Sequence, residues 1–269
     1  MSKKIILLAG PTASGKSKLA VHLAKKLNGE VINADSMQIY KEFTILSSRP
    51  NSNETRKAKH HLYGIISVKK HFSAGDWLKL AKNKIKLCYK LKKIPIIVGG
   101  TGLYFNTITK GISKIPSIDT QTRNKVRNLF KRLGYKEFYK KLLNLDPKVK
   151  NEILPSDSQR SQRAYEVILK TKKSLFDWIA NTKSDFINFE ISKIYIDIPR
   201  DELLKKIYLR TELMFKNKCI KEVKKFNSLK LGNSLSANKL IGVREINAYL
   251  KGSISLDQCK ELINIKTRQ

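Results

Sequence analysis

The chain has 269 residues, of which 41% are hydrophobic and 8% aromatic, so it contains enough apolar material for a packed core and too much for a disordered chain. Its apolar runs, such as residues 5–9 and 94–98, are far shorter than the ~20 residues that cross a bilayer, and its three cysteines are widely spaced. These features exclude membrane-spanning, disulfide-rich secreted and collagen-like proteins. We expect a cytoplasmic globular protein with one large or two modest domains.

The charge is strongly basic, with 55 Lys and Arg against 22 Asp and Glu and a formal net charge of +33. Abundant Lys, Ile and Asn are typical of a genome biased towards A·T-rich codons. An excess of positive charge also attracts phosphate backbones, so a polyanionic partner is the second interpretation. Composition alone does not choose between the two.

Strand and helix patterns alternate over the first 110 residues. Buried strands are predicted at 4–9, 30–33 and 94–98, an amphipathic helix runs up to residue 27, and a second helix covers 74–92. Strands that alternate with helices form βαβ units. We therefore predict an α/β fold with a mostly parallel, P-loop NTPase-like sheet and helices on both faces.

The pattern becomes helical from 114 to 190, where no strand pattern occurs, and this stretch is predicted to be an inserted helical domain. Asp119 is predicted to cap a helix that ends before Gly134, Asp146 to cap another ahead of Pro147, and residues 158–170 to form a third. A strand at 193–198 and helices at 200–226, 237–250 and 256–266 follow, the last with a capping box at Ser255. Residues 1–113 and 191–269 are therefore predicted to form the α/β core.

A phosphate-binding loop of the form G-x-x-x-x-G-K-[ST] follows the first strand. Its backbone N–H groups converge on phosphate oxygens, and the positive end of the next helix dipole adds to the attraction. The lysine neutralises phosphate charge, and the Ser17 hydroxyl is suited to Mg²⁺. The predicted phosphate-binding residues are Gly10, Pro11, Thr12, Ala13, Ser14, Gly15, Lys16 and Ser17.

The strand at 94–98 lacks the terminal carboxylate with which nucleotide kinases and NTPases usually position Mg²⁺, and it ends instead in Gly99-Gly100-Thr101. The nearest suitable acid is Asp35, after the strand at 30–33. The carboxyl ends of neighbouring parallel strands face one crevice, so Asp35 and Thr101 are expected beside the phosphates. Asp35 is open to three roles: metal ligand, general base or helix N-cap.

Seven sequence blocks together resemble the bacterial tRNA dimethylallyltransferase family: residues 10–17, 34–40, 60–62, 98–104, 157–163, 200–210 and 240–244. The resemblance covers nearly the whole chain. It implies transfer of the dimethylallyl group from dimethylallyl diphosphate to N6 of the adenosine immediately 3′ of the tRNA anticodon, with release of diphosphate. It also implies tRNA as the partner, Mg²⁺ as the cofactor and a monomer.

The resemblance implies that the phosphate-binding loop holds the diphosphate of the prenyl donor rather than ATP. Asp35 would be the general base, Thr101 would contact the target adenosine, and Lys16, Arg210 and Ser17 with Mg²⁺ would stabilise the leaving diphosphate. The adenosine would have to be flipped out of its stack. The implied tRNA contacts are Asp35, Ser36, Met37, Gln38, Thr101, Arg123, Gln159, Arg160, Ser161, Gln162, Arg163, Lys239, Leu240, Ile241, Gly242, Val243 and Arg244.

Two segments depart from the family pattern. Residues 46–50 read Leu-Ser-Ser-Arg-Pro where relatives usually have a Gly-Thr-Ala-Lys-Pro-like segment, and the sequence stops at Gln269 where relatives continue with a basic segment. The leading alternative function is a nucleotide or small-molecule kinase that uses ATP, and a third is a non-catalytic RNA-binding protein. The adjacent His60 and His61 and the scattered cysteines predict no zinc site.

Overall fold

The chain divides into two units in the computed structural model, which describes residues 3–232 and 235–269. The first unit combines Met1–Thr109 with Asn188–Gln269, and the second is Lys110–Ile187. The second unit covers the part of the chain in which the sequence predicts an insertion. Within the described residues, no helix is both long and apolar enough to span a membrane.

A parallel five-stranded sheet forms the centre of the first unit, in the order β3-β2-β4-β1-β5. Its strands are β1 (Lys4–Ala9), β2 (Gly29–Asn33), β3 (His60–His61), β4 (Ile94–Gly99) and β5 (Glu190–Tyr195). The predicted parallel α/β fold is therefore confirmed. The predicted strand at 193–198 begins earlier, because Glu190 to Tyr195 pair with Lys4 to Ala9 of β1. The two-residue β3 was not predicted.

Alternating residues of the strands are buried on opposite faces of the sheet. On one face, Leu8 of β1 and Val31 of β2 pack against Ala20 of the first helix. On the other face, Glu30 of β2 reaches Cys88 of the third helix. Both faces are thus covered by helices, as expected for strands with continuous apolar runs.

The helices of the first unit differ from the sequence prediction mainly where the chain turns sharply. The helices are α1 (Lys16–Lys26), α2 (Ser52–Lys57), α3 (Ala74–Lys90), α4 (Gly102–Thr109), α8 (Arg200–Lys216), α9 (Cys219–Asn227), α10 (Val243–Leu250) and α11 (Leu256–Arg268). The single helix predicted at 200–226 is wrong, because Lys218 adopts a left-handed φ of 69° that separates α8 from α9. The helix predicted at 237–250 is also wrong at its start. Ser236–Lys239 form a 3₁₀ helix, and α10 begins only after Gly242.

The second unit is helical, with α5 (Thr120–Leu145), α6 (Ser158–Thr171) and α7 (Leu175–Ala180). Asp119 caps α5 by accepting a hydrogen bond from the Thr122 backbone N–H, and Gly134 interrupts α5 where the first helix was predicted to end. Asp146 is the N-cap residue ahead of Pro147, as predicted, but its side chain makes no capping hydrogen bond. Its buried carboxylate accepts a hydrogen bond from the Ser174 hydroxyl at 2.7 Å, and Pro147 begins a short 3₁₀ helix.

The ends of β2 and β4 lie unusually close at Gly99. A Cβ atom added there would lie 2.1 Å from the carbonyl oxygen of Ala34, whereas one added at Gly100 would meet no atom within 4 Å. The backbone after β2 can therefore pass directly over the end of β4 only because residue 99 has no side chain.

Replacing Gly99 with Ala should lower the free energy of unfolding by about 1–3 kcal/mol, because the backbone of Ala34 must move away from the added methyl group. Gly100→Ala is the matched control and should change the free energy of unfolding by less than about 0.5 kcal/mol. Urea unfolding followed by circular dichroism measures both. Equal unfolding midpoints for the two variants would contradict this account of the strand ends.

Candidate active site

A cavity of about 500 Å³ opens at the carboxyl end of the sheet in the first unit. Parallel strands bring the loops that follow them to this edge, so residues distant in sequence meet here. The cavity is lined by Thr12, Ala13, Ser14, Gly15, Lys16, Ser17, Lys18, Asp35, Met37, Gln38, Leu46, Ser47, Ser48, Glu54, Tyr63, Val98, Gly99, Arg210, Lys239, Leu240, Ile241 and Thr267.

The phosphate-binding loop joins β1 to α1. Gly15 has a φ of 90°, a conformation that favours glycine, and α1 begins at the next residue. The Lys16 ammonium donates hydrogen bonds to the carbonyl oxygens of Gly10 at 2.8 Å and Pro11 at 2.5 Å. These bonds hold the ammonium over the loop, so Gly10 and Pro11 act through their carbonyl groups while Thr12 to Ser17 line the cavity.

Asp35 follows β2 and closes a tight turn. Its Oδ1 accepts hydrogen bonds from the backbone N–H groups of Met37 at 2.8 Å and Gln38 at 3.3 Å. The other oxygen, Oδ2, accepts no hydrogen bond from residues 3–232 or 235–269. One carboxylate oxygen thus fixes the turn, while the second is left without a hydrogen bond from these residues in a side chain that lines the cavity.

The loop after β4 supports this turn from the neighbouring strand. The Thr101 hydroxyl accepts a hydrogen bond from the Ser36 backbone N–H at 3.0 Å, and Thr101 N–H donates to the Ala34 carbonyl oxygen at 3.2 Å. Thr101 and Ser36 do not line the cavity themselves. Both are instead joined directly to the backbone that presents Asp35.

Arg210 enters the cavity from α8. Its Nε donates to the Ser48 hydroxyl at 2.9 Å, and one terminal nitrogen donates to the Leu46 carbonyl oxygen at 3.0 Å. Both acceptors are uncharged. The positive charge of the guanidinium is therefore oriented by neutral groups, and no carboxylate of residues 3–232 or 235–269 forms an ion pair with it, as suits the binding of an anion.

The two cations of the cavity are poorly solvated. Burial lowers the pKa of Lys16 to about 8; nearby Arg210 also lowers it, and Asp35 opposes the shift. Burial lowers the pKa of Arg210 as well, again opposed by Asp35. A dianionic group in the cavity would offset both desolvation and the repulsion between the cations.

The segment predicted at 239–244 is divided between the cavity and the surface. Lys239, Leu240 and Ile241 line the cavity. The next two residues, Gly242 and Val243, are buried, and Arg244 is exposed on α10. A Cβ at Gly242 would lie 2.6 Å from a methyl carbon of Leu46. This segment therefore packs against Leu46, the residue whose carbonyl oxygen accepts a hydrogen bond from Arg210.

The remaining predicted tRNA contacts belong to the second unit. Arg123 is exposed on α5. On α6, Arg160 pairs with Asp157 at 3.4 Å with 73% of its side chain exposed, and Arg163 pairs with Glu166 at 3.3 Å. Gln159 is exposed, Ser161 buried and Gln162 half-buried on the same helix.

Sequence reasoning missed residues 46–48, which supply the two acceptors for Arg210, and Tyr63, which also lines the cavity. Burial raises the pKa of Tyr63, so its hydroxyl remains a hydrogen-bond donor. The unusual Leu-Ser-Ser-Arg-Pro segment was the available signal for the first group. No sequence spacing connects it with Arg210, which is 162 residues away from Ser48.

A second group of buried polar side chains lies among β2, β3 and α3. Glu30 accepts hydrogen bonds from Lys93 at 2.8 Å and pairs with His61 at 2.6 Å, and the Cys88 thiol lies 3.9 Å away. Burial favours a raised pKa for Glu30, but hydrogen bonds from Lys93 and His61 outweigh it and lower the pKa. Burial raises the pKa of Cys88 to about 12. The thiol stays protonated and an ammonium occupies one Glu30 oxygen, so this is a charge-paired cluster unsuited to a metal ion.

Comparison with known proteins identifies the family. A family model described as IPP transferase matches residues 38–269. The chain belongs to this family. A tRNA dimethylallyltransferase of Pelagibacter ubique is 54% identical over 266 residues, which cover 99% of this chain and 85% of that protein. Another from Rickettsia massiliae is 40% identical over 268 residues, covering 99% and 74% of the two chains.

Solved structures agree with this assignment of the IPP transferase family. A full-length tRNA isopentenylpyrophosphate transferase from Bacillus halodurans matches with a TM-score of 0.69 and 29% identity, covering 99% of this chain and 83% of that one. A eukaryotic dimethylallyltransferase acting on tRNA matches with a TM-score of 0.85 and 27% identity, covering 100% and 68%.

The lowered pKa of Lys16 predicts a pH dependence of anion binding. Lys16 is charged below about pH 8 and loses its charge above it, so its contribution to pyrophosphate affinity should fall by about tenfold per pH unit beyond that point. Calorimetric titration with pyrophosphate from pH 6 to 9.5 measures the affinity. Lys16→Met is the control, because its curve contains the ionisation of the ligand but not that of residue 16. A constant ratio of the two affinities across this range would contradict the assignment.

Proposed function

We propose that this protein transfers the dimethylallyl group from dimethylallyl diphosphate to N6 of the adenosine 3′-adjacent to the tRNA anticodon, releasing diphosphate. One observation carries the proposal: Lys16, Arg210 and Asp35 line the same cavity, so an anion-binding pair of cations adjoins an available carboxylate oxygen. Its relatives that are named tRNA dimethylallyltransferase support the same reaction.

In the proposed reaction, N6 of adenosine attacks C1 of the prenyl group while the bond between C1 and the diphosphate oxygen breaks. The amine is a weak nucleophile because its lone pair is delocalised into the base. Asp35 accepts the N6 proton through Oδ2, since Oδ1 is engaged by the backbone N–H groups of Met37 and Gln38. The backbone turn thereby orients the base before substrate arrives.

The leaving diphosphate gains negative charge as the bond to C1 breaks. Lys16 and Arg210 would bind this group through charge-assisted hydrogen bonds, with residues 12–17 of the phosphate-binding loop around it. The Ser17 hydroxyl supplies a hard oxygen donor in the same cavity, of the kind that Mg²⁺ prefers. When bound there, Mg²⁺ would neutralise further charge on the diphosphate.

The proposed tRNA contacts come from both units. In the first unit, Asp35, Met37, Gln38 and residues 239–241 line the cavity and would surround the flipped adenosine. Ser36 and Thr101 would hold the turn that presents Asp35, Gly242 and Val243 would support the segment from inside, and exposed Arg244 would contact neighbouring nucleotides. In the second unit, Arg123 and residues 159–163 would contact the RNA, and exposed arginines suit phosphate groups.

Unmodified tRNA from a strain lacking the modification, incubated with labelled dimethylallyl diphosphate, should yield prenylated adenosine by nucleoside mass analysis. Asp35→Asn should lower kcat by at least about 10²-fold, because it removes the base. The asparagine keeps Oδ1 as an acceptor for Met37 and Gln38, so the tRNA Kd should remain within about threefold. Full turnover by Asp35→Asn would disprove the base assignment.

The kinase alternative is tested in the same preparation by titrating ATP and dimethylallyl diphosphate side by side. Preference for the prenyl donor is expected, because a phosphate-binding loop does not itself select a nucleotide base and this chain has Gly99 in place of the strand-end acid typical of kinases. Tighter ATP binding together with phosphoryl transfer to a small acceptor would overturn the proposed function.

The arginines of α6 provide a test of RNA binding. Arg160→Glu with Arg163→Glu should weaken tRNA affinity and reduce the slope of log K against log salt by about 1–2, since each lost phosphate contact removes roughly 0.7–0.9. Lys86→Glu with Lys90→Glu on α3 is the control with the same change in net charge. Fluorescence anisotropy at several salt concentrations measures the slope. An unchanged slope in the α6 variant, or an equal reduction in the control, would contradict this placement.

A further inference from the structure

Glu222 binds three consecutive backbone N–H groups from a distant part of the chain. Its Oε1 accepts from Thr44 at 2.6 Å and Ile45 at 2.9 Å, and its Oε2 accepts from Leu46 at 2.9 Å. Successive N–H groups that point towards one spot form an anion-binding nest. Here a side chain of the same protein, 176 residues beyond Leu46, fills the nest.

The break between α8 and α9 places Glu222 in this position. Lys218 turns the chain with a left-handed φ, and Glu222 lies in the first turn of α9. One turn later, Phe226 packs against Phe43 with ring centroids 4.8 Å apart. Residues four apart share a helix face, so a single face of α9 holds both the side chain of residue 43 and the backbone of residues 44–46.

The same loop holds Arg210. The N–H of Leu46 donates to Glu222, while the carbonyl of Leu46 accepts from the Arg210 guanidinium. Two residues later, the Ser48 hydroxyl accepts from Arg210 Nε. The carboxylate therefore fixes the backbone that carries both acceptors of the cavity arginine.

We propose that Glu222 is a positioning residue that sets the orientation of Arg210 towards the diphosphate, an inference that rests on the proposed function. The loop has internal bonds of its own, such as the Ser47 hydroxyl to the Phe43 carbonyl oxygen at 2.7 Å. Those bonds shape the loop but do not fix it relative to the helices. Glu222 connects it to α9, directly after the helix that carries Arg210.

Glu222→Gln tests this role. The three backbone N–H groups use both carboxylate oxygens as acceptors, whereas the glutamine side chain has one acceptor oxygen and an NH₂ group, which would place a donor against at least one backbone donor. The probe is inorganic pyrophosphate, titrated calorimetrically into the full chain without tRNA. We expect Glu222→Gln to weaken pyrophosphate binding about tenfold in the wild-type background and less than about twofold in the Arg210→Ala background, since contacting groups are coupled. A role in stability alone would weaken binding equally in both backgrounds and would overturn the proposal.

Glu212→Gln is the matched control, since it makes the same change on α8 but removes an ion pair with Lys260 away from the loop. It should leave pyrophosphate affinity unchanged. Ser48→Ala tests the same contact between the loop and Arg210 if Glu222→Gln fails to fold. It removes one hydrogen-bond acceptor of Arg210 and should weaken pyrophosphate binding about threefold, again only when Arg210 is present. Unchanged affinity in Ser48→Ala would overturn the proposal. Wild-type protein that fails to bind pyrophosphate would instead overturn the proposed function.

Discussion

The site depends on keeping two desolvated cations, Lys16 and Arg210, in one cavity. Burial lowers the pKa of both Lys16 and Arg210, and in the described part of the chain each cation is held by neutral oxygen atoms rather than by a carboxylate partner. The protein bears the cost of this arrangement in its folded state. A diphosphate that enters the cavity meets charges that are already oriented, so little reorganisation is needed as negative charge develops on it.

This arrangement explains why the backbone around the cavity is so heavily constrained. Carbonyl oxygens of Gly10 and Pro11 direct Lys16, and the loop at 44–48 directs Arg210. Asp35 is fixed by backbone N–H groups and lies close enough to favour the charged forms of both cations. A carboxylate in direct contact with either cation would neutralise the site, whereas Asp35 is bound through Oδ1 to its own turn.

The sequence alone was sufficient to predict the elements with strong apolar periodicity and the phosphate-binding loop. Apolar runs predicted β1, β2 and β4, and the capping box at Ser255 marked the start of α11. The break at Lys218 was not predictable, since the apolar spacing of Cys219, Val223 and Phe226 continues the helical pattern across a lysine in a left-handed conformation. The hydrogen bonds from the backbone of residues 44–46 to Glu222 also leave no sequence signal, because their donors are backbone N–H groups that nearly every residue possesses.

The close approach at Gly99 connects the fold to the choice of chemistry. Where kinases and NTPases place a metal-binding acid at the end of a strand, this chain has a glycine against which the Ala34 backbone packs. Any side chain at 99 would displace the turn that carries Asp35. The acid lies instead after the neighbouring strand β2, where Asp35 lines the cavity and is the proposed general base. A phosphate-binding loop that lacks the usual acid but keeps this carboxylate is suited to proton removal and to the departure of a diphosphate.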